Sequence, residues 1–308
     1  MKKNNKKKKV LVIFIMICVL TIAYTTRKQI ITWILKEVFE INKTEIKAPN
    51  TNEYTRNIDY KYVQNTNNFK PKNKKDLMNI YYTVINSGTK SFSFYCPEEY
   101  KKCISDVKEI ANNKTTTANI NNYVHPYNSF RHIDTKINKI GKVTLVIEKT
   151  YSNEKINKIN KIVNKIIKEE IKEEKDKNEQ IKIIHDYIIN NTKYDSNKSD
   201  NKNALYDSDT AYGALIQGYA LCGGYSDAMA IILDKLGIKN FKIASDNHIW
   251  NAVELDNNWY HLDLTWDDPI TNDNSDTLEY NFYMITTEEL SDLKTNYHNY
   301  DKNIYQEL

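Results

Sequence analysis

Glycine is scarce in this chain, and its distribution constrains the fold more than any other feature. Of seven glycines in 308 residues, four, Gly213, Gly218, Gly223 and Gly224, fall within twelve positions around Cys222. Such a cluster in a glycine-poor chain marks a tight backbone path. No Lys-Ser/Thr pair follows it, which argues against a phosphate-binding loop. The apolar positions Tyr225, Ala228, Met229, Ile232 and Leu233 then recur with helical spacing, and Gly237 stands where a helix should end. Cys222 is therefore expected at or near a helix N-terminus, where the macrodipole and free N–H groups favour the thiolate.

Downstream, His248 to Leu255 and Asn258 to Trp266 read as strands joined by Asp256 and Asn257 as a hairpin turn. With a two-residue loop, even-numbered residues of the first strand share a face with odd-numbered residues of the second. His248, Trp250 and Ala252 then lie with Trp259, His261 and Asp263, and His248 is diagonal to Asp263 within imidazole–carboxylate reach. Ile249, Val253, Leu255, Tyr260, Leu262 and Leu264 form the opposite, apolar face. A Cys222 helix packed on the His248 face would complete a nucleophile, a base and a group to orient it. Each of these residues alone is also compatible with ordinary packing: an inert buried cysteine, a satisfied polar residue in a strand.

The runs AYGALIQGYALCGGYSDAMAIILDKLGI (211 to 238), DNHIWNAVELDNNWYHLDLTWDDP (246 to 269) and YNFYMITTEEL (280 to 290) carry a resemblance. Together they resemble the transglutaminase-like family of bacterial proteins, the branch of the papain-like cysteine fold that includes the kyphoscoliosis peptidase. The run KIIHDYIINNTKYD (182 to 195) resembles that family's first core helix. The resemblance implies Cys222 as nucleophile, His248 as base and Asp263 as the carboxylate that orients it. His261 is the weaker base candidate. Trp250 and Trp266 are expected to wall the site, chiefly by packing. The Cys222 N–H is the expected oxyanion donor, and Gln217 is either a side-chain donor or a loop residue at the site. Gly223 departs from the family, which more often has another residue there. An α+β fold follows, a papain-like transglutaminase core with its nucleophile helix on an antiparallel sheet, preceded by an N-terminal α/β region and a membrane anchor.

The charge balance bears on location. Lys and Arg number 44 against 40 Asp and Glu, but six lysines crowd the first nine residues, and beyond them 38 bases face 40 acids. A nearly neutral body excludes a broad nucleic-acid surface. Behind the lysines, Val10 to Tyr24 is an uncharged apolar run, followed by Arg27, Lys28 and a second apolar stretch from Ile30 to Phe39. This is the pattern of a secretory signal or an uncleaved signal-anchor. No small-x-small site lies near Ala23, and Ile-Met-Ile before Cys18 does not fit a lipoprotein site. The reading is an N-in, C-out anchor over residues 1–28, helped across the bilayer by Thr21 to Thr26, with an extracytoplasmic body; cleavage would make the protein secreted.

Residues 29–75, polar from 42 onward, read as a linker or stalk, 76–175 as an accessory α/β region and 176–308 as the catalytic domain. Helices are expected over Lys75 to Ile85, Glu98 to Ala111 and Asn178 to Asn191, strands over Ser91 to Tyr95 and Lys142 to Lys149, and a polar loop over Asn191 to Asn203. Ile159, Ile162, Val163, Ile166, Ile167 and Ile171 form the apolar stripe of another helix. In an oxidising space Cys96 and Cys103 would pair or remain buried thiols, leaving Cys222 free. No cysteine cluster has zinc spacing, and Asp267 to Asp276 lacks a calcium-loop pattern, so no metal or other cofactor is expected. The expected function is cysteine-based acyl transfer on peptide or glutamine carboxamide bonds, as a peptidase, amidase or transglutaminase. Its expected partners are the membrane and protein or cell-wall peptides; a non-catalytic surface-binding or scaffold module is the alternative.

Overall fold

The computed structural model describes residues 13–27, 29–31, 34, 46–201, 205–269 and 277–308. The lysine run, most of the second apolar stretch and residues 270–276 of the acidic loop lie outside the described residues. The chain divides into two units, Met1–Lys47 and Ala48–Leu308.

The first unit contains helix α1, Ile13–Ile31, whose 19 residues are long and apolar enough to cross a membrane. Phe14, Leu20 and Ile22 are exposed on it. Its threonines do not interrupt the apolar surface. The hydroxyls of Thr21 and Thr25 donate to the carbonyls of Ile17 and Thr21, each at 2.9 Å, and that of Thr26 to Ile22 at 2.6 Å. A hydroxyl satisfied by its own helix needs no water.

The second unit begins with an extended segment and α2, Lys74–Asn86. Strands β1 (Ser91–Tyr95), β2 (Phe130–Ile137) and β3 (Lys142–Lys149) form an antiparallel sheet in the order β1-β3-β2, with α3 (Cys103–Asn112) and α4 (Lys114–Asn122) between β1 and β2. A disulfide joins Cys96 to Cys103. The helix expected from Glu98 begins only at Cys103, because Glu98 and Glu99 are spent in a turn after Pro97.

Helix α5, Asn153–Ile166, is capped by the Ser152 side chain and continues as a π turn over Ile167–Ile171. Its stripe is buried at Ile159, Val163, Ile166 and Ile171. Next come α6 (Lys177–Asn191), β4 (Lys193–Tyr194) and α7 (Ser196–Asn201), then a π turn at Gly213–Gln217, β5 (Tyr219–Ala220) and α8 (Cys222–Lys235). The expected loop after Asn191 thus holds two short elements. Parallel pairing of β4 with β5 accounts for the first, a long-range contact that local composition does not show.

Strands β6 (Asn240–Ala244), β7 (Ile249–Leu255) and β8 (Asn258–Leu262) form a second antiparallel sheet. Asp256 and Asn257 have φ of 53° and 64°, the left-handed pair that a tight hairpin requires, and Ala252 faces His261 across it. Met229, Ile232 and Leu233 of α8 pack with Ile184 and Ile188 of α6, Ile159 and Val163 of α5, and Val253 and Leu262 of the sheet. Helix α9, Thr287–Asp292, and a 3-10 turn at Asn296–His298 complete the chain's elements.

Residues 48–75 do not form a stalk. Tyr60, Val63 and Phe69 are buried, and the Arg56 guanidinium binds Asp234 of α8 at 2.7 Å. Polar composition conceals this because the anchoring aromatics are spaced singly among Asn and Lys.

Candidate active site

The glycine cluster gives the thiol its position. A Cβ on Gly224 would lie 2.3 Å from the Ser208 carbonyl oxygen, and one on Gly213 would lie 2.5 Å from that of Asp207. Gly218, at φ +74°, ends the π turn. The 207–210 segment therefore runs against the start of α8 with no room for side chains, and the Leu221 N–H donates to the Ser208 carbonyl at 2.8 Å. Gly223 fits the same path, since a Cβ there would meet the Asp209 carbonyl at 3.0 Å. Leu221 is the N-cap, so Cys222 is the first helical residue, and its N–H has no acceptor within the helix. The Cys222 side chain is partly exposed and forms no disulfide.

His248 and Asp263 flank the hairpin ladder, one residue before β7 and one after β8. His248 Nε2 and Asp263 Oδ2 are 2.5 Å apart. The imidazole also hydrogen-bonds the Cys222 thiol, and with Nε2 committed to Asp263, Nδ1 is the nitrogen left for sulfur. Burial alone would lower the His248 pKa. The charge and hydrogen bond of Asp263, with Cys222 adding to them, instead raise it to about 10. Burial alone would raise the Asp263 pKa, but the charge and hydrogen bond of His248, together with His298, hold it at about 2.

One expectation needs correction. Helix α8 packs on the face opposite His248 and Trp250: Asn251 donates to the Ser226 carbonyl at 3.0 Å, and Lys242, paired with Asn251 across the sheet, binds Asp227 at 2.5 Å. Cys222 nevertheless reaches His248 because the histidine lies beyond the strand end. There its side chain is free of the ladder's alternation and meets the first turn of the helix at the sheet margin.

The remaining candidates divide. Trp250 is buried, packs its ring 5.6 Å from that of His248, and donates Nε1–H to His261 Nδ1 at 3.0 Å. His261 therefore backs the site from beneath, with Nε2 on Thr287 Oγ1 at 3.2 Å, and burial followed by the charge of His298 lowers its pKa to about 3. Trp266 lies 6.3 Å from the His248 ring and forms a partly exposed wall with Phe282 and Tyr297. Gln217 is tied into the glycine loop, where its Oε1 accepts the Asp207 N–H at 2.8 Å.

One residue at the site has no precursor in the sequence reading. His298 Nε2 lies 2.8 Å from the same Asp263 Oδ2 that binds His248. It comes from KTNYHNY (294–300), a polar stretch without periodicity, 35 residues downstream of the carboxylate. The donor atoms of His248, Asp263 and His298 lie within 4.8 Å of one another, close enough to hold a divalent ion. Hydrogen bonds account for their proximity without one.

A thiol at a helix N-terminus, bonded to an imidazole that a buried carboxylate holds from behind, is the arrangement of the papain-like class of cysteine folds. Within that class the core is transglutaminase-like: residues 164–264 match the family model of the transglutaminase-like superfamily. The chain accordingly carries a transglutaminase-like core over those residues. Similar solved structures include a TGase (18% identity, TM-score 0.34, covering 44% of this chain and 44% of that one). A candidate cysteine protease from Cytophaga hutchinsonii is 15% identical, with a TM-score of 0.27, over 44% of this chain and 61% of that one. The chain thus spans less than two thirds of either relative. No curated protein matches it.

Proposed function

We propose that this protein is a membrane-anchored, extracytoplasmic cysteine enzyme that cleaves or transfers peptide or glutamine carboxamide acyl groups. The observation that carries the reading is the His248 Nε2–Asp263 Oδ2 contact of 2.5 Å on an imidazole that also bonds the Cys222 thiol. In this reading the nucleophile is the thiolate form of Cys222, paired with the His248 imidazolium. Sulfur attacks the carbonyl carbon, and the Cys222 N–H receives the developing oxyanion. His248 gives its proton to the departing amine as the C–N bond breaks, leaving a thioester. An incoming water or amine then loses a proton to His248 and displaces the sulfur, regenerating the thiolate. Asp263 holds the ring's tautomer and its positive charge throughout.

Two features support the location. Helix α1 is long enough to span a bilayer, and the Cys96–Cys103 disulfide suits an oxidising compartment. Surface proteins and cell-wall peptides are the substrates such a position would offer.

The test is incubation with a glutamine-containing peptide, with and without a primary amine, read by mass spectrometry beside Cys222→Ala. Fragments, deamidated peptide or amine adduct should form with the wild type and be absent with the variant. The proposal is overturned if none of these products forms and iodoacetamide labels Cys222 no faster than an ordinary thiol.

A further inference from the structure

We propose that His298 is a positioning residue for the Cys222–His248 reaction, fixing the Asp263 carboxylate through a second imidazole N–H on the oxygen that holds His248. This rests on the functional reading above and adds a fourth side chain to its machinery.

Asp263 is 2% exposed, so no solvent shell orients it. Its Oδ1 accepts the Thr265 N–H at 3.0 Å, while Oδ2 takes His248 and His298 at 2.5 and 2.8 Å. With one donor on Oδ1 and two on Oδ2, the plane of the carboxylate is defined. Without His298, a lone pair of a buried anion would lack a partner and the group could pivot about its Cβ–Cγ bond.

The proton on His298 can be assigned by chemistry. An ionised carboxylate only accepts, so His298 Nε2 carries hydrogen. Its Nδ1 lies 2.6 Å from Thr295 Oγ1, a contact that fixes the ring with Nε2 toward the carboxylate. Thr295 and His298 bracket the 3-10 turn Asn296–His298, so the turn delivers both the donor and the group that orients its ring.

His298 is also packed in aromatic rings, stacked on Phe282 at 4.8 Å and edge-on to Trp250 at 4.8 Å and Trp266 at 5.1 Å. Packing and hydrogen bonding must therefore be separated. His298→Phe keeps a ring and removes the donor; His298→Gln keeps a donor near the Nε2 position and removes the ring. Thr295→Val leaves the ring but releases its orientation.

The experiment compares these three variants with the full-length wild type by steady-state kinetics on the accepted peptide, by the iodoacetamide rate at Cys222 near neutral pH, and by thermal melting. His298→Phe should lower kcat by roughly 10- to 100-fold, the rate equivalent of a hydrogen bond to a charged group, with KM little changed. Its alkylation rate should fall in parallel. His298→Gln should recover most of the loss, and Thr295→Val should lie between the two. A folded His298→Phe with wild-type kcat and alkylation overturns the proposal. So does His298→Gln being as impaired as His298→Phe, which would make the ring itself the requirement. If turnover is undetectable, alkylation decides: a reactive wild-type thiol slowed in His298→Phe supports the positioning role. A wild-type thiol of ordinary reactivity removes the functional reading and this role together.

Discussion

His248 and Asp263 show how a buried pair couples chemistry to stability. An unfolded histidine titrates at about 6.5, whereas His248 is held at about 10. The folded protein thus keeps a proton that the unfolded chain releases, and the resulting stabilisation is complete below about pH 6.5 and fades as pH approaches 10. Asp263 works in the other direction. Held at about 2 against an unfolded value near 3.9, its contribution is intact above that value and disappears as pH falls through about 2. The window in which both contribute fully is therefore about pH 4 to 6.5. Thermal melts of wild type and His248→Asn across pH 5 to 10 should show the widest Tm gap below pH 6.5 and a narrowing gap above it. Each kcal/mol of this linkage corresponds to about 2–4 °C in a chain of this size. A gap that stays constant to pH 10 would mean that the folded His248 is neutral and that no thiolate–imidazolium pair forms. Asp263→Asn should slow Cys222 alkylation at pH 7 by about 10-fold or more, since the amide can neither hold the charge nor select the tautomer.

Among the elements, the start of α8 is where the backbone is most constrained. A methyl group at Gly224 would meet a main-chain oxygen, Ser208 O, at 2.3 Å, a contact that only movement of the 207–210 segment can relieve. Gly224→Ala should therefore destabilise the protein by about 1–3 kcal/mol in urea denaturation, as overpacking does. It should also slow Cys222 alkylation, because the helix start moves with the segment. Gly237→Ala provides the contrast: open space surrounds it, but its φ of +71° disfavours a side chain, so stability falls while the thiol rate holds. These elements were legible in the sequence for local reasons. Glycine clustering, the two-residue turn and period-2 alternation act within a few positions of one another, so they locate the start of α8 and the hairpin beside which Cys222, His248 and Asp263 stand. What lay beyond local patterning was not legible. Strand parity points to the wrong face for α8 because faces are defined only within a ladder, and His248 stands outside it. His298 was missed because its partner is 35 residues away and a 3-10 turn leaves no periodic trace.

Over the whole molecule, the polar segment before α2 carries more of the fold than its composition implies. Arg56 is one of three arginines in a lysine-rich chain, and it occupies a buried site suited to a planar fork. Its Nε and Nη2 bind Asp234 Oδ2 at 3.0 and 2.7 Å, and its Nη1 bonds the carbonyls of Asn240 and Tyr123 at 2.9 and 3.3 Å. One side chain thus joins the segment to the end of the thiol-bearing helix, the start of β6 and the loop after α4. Removing it leaves the largely buried Asp234 carboxylate with Asn240 but without its cation, and Arg56→Ala should cost about 3 kcal/mol. Arg56→Met with Asp234→Leu should recover much of that loss, because no unpaired charge remains. Truncation then distinguishes a stalk from a structural strap. Deleting Met1–Lys47, a separate unit, should leave the urea midpoint and the Cys222 alkylation rate unchanged. Deleting through Val63 should abolish cooperative unfolding, since Arg56, Tyr60 and Val63 leave the core together. If both truncations melt alike, the segment is a dispensable tether after all, and the site is held by α8 and its sheet alone.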